Sequence, residues 1–261
     1  GLGSMKGSYG ASGQATFSSG DFGITVAGKY LKKDDWTTDW EYADPKASSG
    51  MTTEEVTIPD EGAGAYLGMH YKNLHLMASY DEWKHYYFVS DFAHIFPAHG
   101  DAQWKKSFLD LGYDLEVTKK WDMDFNFTYT RSKFNTENWP KTNRNSYEMV
   151  GEWSNFYNPS EKLEIVFGGL FNFFEGKEWG PEVVYTNANR YSFGAYAQVN
   201  YALHSSLNVI GGVQANKVED IDFNMVPRVG LIWYPDFTIN VKAFYSQAFT
   251  DPRITELSID I

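Results

Sequence analysis

The sequence contains no cysteine, which excludes disulfide frameworks, thiolate metal sites and cysteine nucleophiles. Positive charge is also short: 22 Lys and Arg stand against 34 Asp and Glu, a formal net charge of -12. Such a chain does not neutralise phosphates in bulk, so a nucleic-acid role is excluded. No run approaches the roughly 20 apolar residues of a membrane-spanning helix. No segment favours a helical period over its length, although the stretch around Val89 to Ala98 has room for a helical turn. What is abundant is aromatic: 18 Tyr, 19 Phe and 9 Trp, together with 23 Gly. That bias toward strand formers and tight turns predicts an all-β chain.

The periodicity agrees. In WDMDFNFTYT, Trp121, Met123, Phe125, Phe127 and Tyr129 alternate with Asp122, Asp124, Asn126, Thr128 and Thr130, a period of 2 without an error. RYSFGAYAQVNY, residues 190 to 201, repeats the pattern. The same template predicts about twelve strands, at 4–19, 22–32, 62–71, 74–86, 105–117, 121–131, 145–155, 161–175, 190–201, 206–218, 224–234 and 237–247. Their connections alternate in length. Short turns fall near 20, 72, 119, 159, 204 and 235, and long loops are expected at 33–61, 87–104, 132–144, 176–189 and 219–223.

Alternation does not say which face is inside, so a soluble ligand-binding β-barrel or sandwich stays open at this point. Three features favour a transmembrane barrel. The apolar register of the well-defined strands lacks charge, and a lipid-facing Lys or Arg would cost about 2–4 kcal/mol at mid-bilayer. Aromatics recur beside the short turns, as Tyr71, Trp121, Trp153, Tyr201, Tyr234 and Phe237, where an interfacial girdle belongs. The opposite register carries Asp110, Asp114, Glu116, Asp122 and Asp124, with Glu148, Glu152 and Glu164, residues suited to a polar lumen. Short turns would then be periplasmic and long loops extracellular.

The stretch PRVGLIWYPDFTINVKAFYSQAFTDPRITEL resembles the barrel of TonB-dependent outer-membrane receptors, in which a Pro-Arg strand and a short turn precede a strand ending in Phe-Arg-x-Pro and then Glu-Leu. The matching positions are Pro227, Arg228, Phe249, Pro252, Glu256 and Leu257. Thr250 stands where the family has Arg, and Asp251 and Arg253 also depart, so no role passes to that arginine. MKGSYGASGQATFSSGDFGITVAGKY is similar to the early barrel strands of the same family. The resemblance implies a Gram-negative outer-membrane location, lipid contact, a small-molecule cargo, energy coupling through the TonB system, and further strands with a plug domain. A partial antiparallel barrel of about 12 meander strands, one domain over 1–261, is expected; a self-contained twelve-stranded porin or substrate-specific channel is the alternative.

No catalytic constellation, cofactor or metal site is expected. His85, Tyr86, Tyr87, His94 and His99 share one predicted loop with Asp91 and Asp101, and Trp36, Trp40 and Tyr42 lie in an acidic one. Aromatic side chains on a receptor rim can stack on ligands such as corrinoids, glycans or siderophores, which makes these eight residues the ligand-binding candidates.

Overall fold

The computed structural model describes residues 2–5, 7–43, 50–88, 99–137, 141–181, 183–236 and 238–250. Among them there is no helix. The strands are β1 (Leu2–Met5), β2 (Ser8–Ser19), β3 (Phe22–Ala43), β4 (Met51–Tyr71), β5 (Leu74–Phe88), β6 (His99–Thr118), β7 (Trp121–Thr136), β8 (Asn143–Ser160), β9 (Leu163–Gly180), β10 (Val183–His204), β11 (Leu207–Val218), β12 (Asn224–Asp236) and β13 (Ile239–Ser246). They form one meander in chain order, with β1 and β13 at the edges and no closure between them. The all-β expectation of about twelve strands therefore holds, with two corrections.

The segment 4–19 is not one strand. The chain folds back at Gly7, whose φ of 77° suits a residue without a Cβ, and β1 pairs with the start of β2. The described residues of the long loops expected at 33–61, 132–144 and 176–189 are largely strand, and of 87–104 the described ends, 87–88 and 99–104, belong to β5 and β6. β3 and β4 stay in register as far as Ala43 and Met51, with one irregularity between Lys33 and Trp36. Backbone pairing continues where apolar alternation stops, because a ladder needs hydrogen bonds and not an apolar face. Residues 89–98, where a helical turn was expected, lie outside the described residues. Connections at the other end are short, as expected: Lys72 and Asn73 alone join β4 to β5, with Lys72 at φ 52°.

The chain folds as two compact units, Gly1–Asp110 with Tyr129–Glu148 and Glu175–Asn187, and Leu111–Thr128 with Met149–Phe174 and Ala188–Ile261. In the first, adjoining cross-strand rows differ in polarity. Phe17, Ile24, Met69 and Leu76 form one row, and the adjoining row of opposite orientation holds Thr16, Thr25, Gly68 and Met77. The apolar rows run from Phe22 up to Tyr30, eight residues or about 26 Å of strand at about 3.3 Å each. Tilted as barrel strands are, that gives a band of the order of the 25 Å apolar belt of outer-membrane barrels.

The second unit repeats the scheme. Val199, Gly211, Val229 and Tyr245 share a row of one face, and Gln198, Gly212, Arg228 and Ser246 share one of the other. Near its short turns the fully buried Asn155 ties three strands. Trp121 Nε1 donates to its Oδ1 at 3.0 Å, and its Nδ2 donates to the Phe167 carbonyl at 3.2 Å. Trp121 also meets Tyr157 edge-on, and Trp153 meets Phe167 likewise. Aromatic side chains thus gather at that end, with the Trp121 indole N–H satisfied by Asn155, as suits an interfacial girdle.

Burial is inverted relative to a soluble protein. Among the described residues only Ala102 and Val218 are buried hydrophobics, while Phe17, Phe193 and Val229 are each more than half exposed. Water does not tolerate an apolar face of this extent on a monomer. Lipid does.

Candidate ligand-binding site

Above the Tyr30 level the alternation of the first unit changes: Lys32, Glu61 and Lys84 continue the outward rows, and inward positions carry aromatic and charged side chains together. Trp104 of β6 and Phe134 of β7 pack with ring centroids 4.4 Å apart. The Arg144 guanidinium lies over Phe134 at 5.7 Å, and the Lys106 ammonium over Trp104 at 5.9 Å. Arg144 Nε donates to Glu178 Oε1 at 2.9 Å, and the Thr142 hydroxyl donates to the same oxygen at 3.1 Å. The result is an aromatic pair carrying two cations, one of them held by a carboxylate.

The hairpin backbone fixes this cluster. Thr136 and Thr142 are buried and exchange hydrogen bonds, the Thr136 N–H donating to the Thr142 carbonyl and the Thr142 N–H to the Thr136 hydroxyl oxygen, both at 2.9 Å. β9 closes against them so tightly that a Cβ at Gly180 would run into the Lys141 carbonyl. Around the outside of the same hairpins, Tyr129 packs on Tyr147, whose hydroxyl donates to Glu175 at 2.6 Å. Lys177 Nζ sits 2.6 Å from Glu175. The Lys177 ammonium, seconded by the Tyr147 hydroxyl, holds Glu175 below the usual carboxylate range, and Glu175 raises Lys177 in return.

A second inward group lies across β3, β4 and β5, where Lys33, Asp60 and His85 stand opposite one another in register. Lys33 is ion-paired with Asp60 through Oδ2. The remaining Asp60 oxygen and His85 Nδ1 are buried without partners. Among the described residues no three His, Asp or Glu side chains group as metal ligands.

Over residues 8–260 the sequence matches the family described as TonB dependent receptor-like, β-barrel. The chain belongs to that family. A search of curated protein sequences returned no match. Solved TonB-dependent receptor structures share the fold at low identity. The FrpB iron transporter from Neisseria meningitidis (F3-3 variant) is 14% identical with a TM-score of 0.63, over 92% of this chain and 43% of its own. A mutant of the ferric enterobactin receptor PfeA from Pseudomonas aeruginosa is 11% identical, TM-score 0.68, over 96% of this chain and 42% of its own. The copper transporter OprC is 10% identical, TM-score 0.62, over 88% and 41%. The chain thus spans about two fifths of these proteins. They are transporters and receptors, and the family sits in the Gram-negative outer membrane.

Within this TonB-dependent barrel, Pro227 and Arg228 lie on β12, opposite Val213 and Gly212. Arg228 passes over Gly212 and donates from Nη1 to Gln198 Oε1 at 3.3 Å. It belongs to the polar inner network of the second unit, as does Asn200, which donates to Glu164 at 2.6 Å. Phe249 lies beyond β13; Pro252, Glu256 and Leu257 are outside the described residues. Of the predicted lumenal carboxylates, Asp110 borders a hollow of about 480 Å³ in the first unit with Gln14, Thr25, His70 and His75. Asp114, Glu116 and Asp122 are exposed on β6 and β7, and Asp124 bears electrostatically on Tyr196.

Of the predicted ligand residues, Trp36, Trp40 and Tyr42 are strand residues of β3, paired with Ile58, Glu54 and Thr52. Tyr86 and Tyr87 belong to β5 and His99 opens β6, while His94 lies outside the described residues. Only His85 is placed with its side chain, beside Asp60. Trp104, Phe134, Arg144 and Glu178 escaped the sequence reading because it assigned them to loops or loop margins. The signal was available: Thr130, Ser132, Phe134 and Thr136 continue the even register of β7 without a break.

Proposed function

We propose that this chain is the strand wall of an outer-membrane receptor that takes up a scarce small nutrient in a TonB-dependent manner. The plug domain, the remaining strands and the energy-coupling system are its partners, and 1–261 is one barrel domain. The observation that carries the reading is the inward cluster of Trp104, Phe134, Arg144 and Lys106 above the apolar band. Stacked rings with cations favour a planar, electron-rich and anionic cargo. Among siderophores, metal complexes, corrinoids and glycans, a metal complex with aromatic oxygen donors fits best. The iron and ferric enterobactin cargoes of similar structures agree with it. His85, Trp36, Trp40, Tyr42, Tyr86, Tyr87, His94 and His99 would line the approach to it.

The test is titration of the full-length protein in detergent with a ferric catecholate complex, followed by tryptophan fluorescence. Saturable quenching is expected, weakened about 10-fold or more in Trp104→Ala and in Arg144→Ala, in keeping with a stacking contribution of about 1–3 kcal/mol. Equal affinity in wild type and both variants would sink the assignment of the site.

A further inference from the structure

Above the apolar band, one inward row sets Lys33, Asp60 and His85 directly opposite one another on β3, β4 and β5. The two oxygens of Asp60 differ in their surroundings: Oδ2 takes the Lys33 ammonium, while Oδ1 is buried with no hydrogen-bond partner. On the facing residue, His85 Nδ1 is buried and unpartnered as well. Buried polar atoms are nearly always paired, so two orphans on one cross-strand pair call for a group that takes a lone pair from each. In the next inward row toward the band, the Trp83 ring lies across Gly62, where a Cβ would come within 2.1 Å of it. An indole thus lies beneath the pair.

We infer that Asp60 and His85 are two ligands of a divalent first-row transition-metal ion, held on the inner wall through Oδ1 and Nδ1. A carboxylate oxygen only accepts, and Nδ1 offers a lone pair when the imidazole proton resides on Nε2. Directly opposed residues have Cβ atoms about 4.5–5.5 Å apart. Bonds of about 2.0–2.2 Å to one ion bring the two donor atoms about 3–3.5 Å apart, a span that facing Asp and His side chains cover without moving the ladder. One imidazole with one carboxylate suits zinc, nickel, cobalt or copper, and not magnesium or calcium, which take oxygen throughout. Two protein donors leave at least two positions on the ion open, to be filled by water or by the donor atoms of a solute. That agrees with the lack of any group of three His, Asp or Glu ligands among the described residues: a wall site of this kind holds a metal in passing and gives it up. Lys33 works in the same direction, because its ammonium neutralises the carboxylate and repels an incoming cation. Two comparisons single out this row. The inward ion pair of Lys29 with Asp81 has Gly64 between them and no histidine. His70 and His75 also stand opposite each other, but the His70 ring lies over Gly23 of β3, on the side away from His75.

The test uses chelator-stripped full-length protein in detergent with copper(II) chloride as probe, since the electron paramagnetic resonance spectrum of that ion counts its nitrogen ligands. Heat-modifiable gel mobility reports folding of every variant. A saturable component with a single nitrogen ligand is expected in wild type and absent in His85→Gln. Asp60→Asn should weaken it about 10-fold with the nitrogen kept, and Lys33→Met should strengthen it about 5-fold by removing a competing cation. The gain in Lys33→Met is the result that a merely structural ion pair would not give. His70→Gln/His75→Gln should bind as wild type does. Wild-type copper binding in folded His85→Gln would overturn the proposal, as would loss of the component in the His70 and His75 variant, which would put the ion at that pair instead. Unchanged or weaker binding in Lys33→Met would overturn it too, leaving the row an ion pair with water at its second oxygen. No arm uses a ferric catecholate, so failure of that complex to bind would sink the cargo assignment alone.

Discussion

The Tyr196 hydroxyl lies 2.6 Å from Ser154 Oγ, although their strands are separated by β9. The crossing is made at Gly168, where a Cβ would run into both the Trp153 carbonyl and, at 2.6 Å, the Tyr196 hydroxyl. Gly168→Ala should therefore force the ring or the backbone to move and destabilise the wall by about 1–3 kcal/mol. Tyr196→Phe, which removes only the hydroxyl, should cost about 1 kcal/mol. Guanidinium unfolding in detergent measures both, and equal losses would show that the ring path is not what Gly168 protects.

Arg144 joins a stacked ring to a carboxylate, and that dual role separates it from a simple charge. Arg144→Lys keeps the cation but loses the planar stack and the Nε bond to Glu178. Affinity for an aromatic metal complex should fall about 5- to 10-fold by calorimetry, with the unfolding midpoint nearly unchanged. Full affinity in the lysine variant would leave charge alone as the contribution of this residue.

Glu175 and Lys177 lie above the apolar band and should be readable by titration. Glu175 is held below its ordinary 4.5 and Lys177 above its ordinary 10.5. The carboxylate's contribution is present above 4.5 and disappears as pH falls through its lowered folded value. That of the ammonium is present below 10.5 and disappears as pH rises through its raised one. Carbon-13 NMR of the Glu175 carboxyl should show a midpoint under 4.5 that returns toward it in Lys177→Met. A midpoint indifferent to that substitution would mean the pair does not persist in solution.

The two faces of β7 differ in what they tolerate. Phe125 is 40% exposed midway between Trp121 and Tyr129, so Phe125→Arg places a cation near mid-bilayer, costing about 2–4 kcal/mol. Asp124→Asn, on the neighbouring inward position, should fold into vesicles almost as wild type does. The folded fraction from heat-modifiable mobility distinguishes them, and equal folding of both variants would contradict the assignment of the outward face to lipid.

The part of the fold legible in sequence is the part that touches lipid. Between Trp121 and Tyr129, or Tyr191 and Tyr201, one face must be apolar and the other polar, so period 2 is imposed on the residues themselves. Above the band water reaches both faces, and the strands persist on backbone pairing that leaves little mark on composition. There, Lys133 turns out while Phe134 turns in, opposite in sign to the rule that found β7. That is why Trp104 and Phe134 were hidden in apparent loops. His85 was found because its residue type is rare, but its pairing with Asp60 required the register of β4 and β5. Short turns were legible throughout, because Lys72–Asn73 and its counterparts interrupt the alternation abruptly.

The β3–β4 ladder carries a last consequence. From Tyr30 to Ala43 it continues for thirteen residues, about 40 Å of paired strand, interrupted only between Lys33 and Trp36. The ladder therefore carries its pairing well past the apolar rows that end at Tyr30, and the irregularity between Lys33 and Trp36 is the place where bending would concentrate.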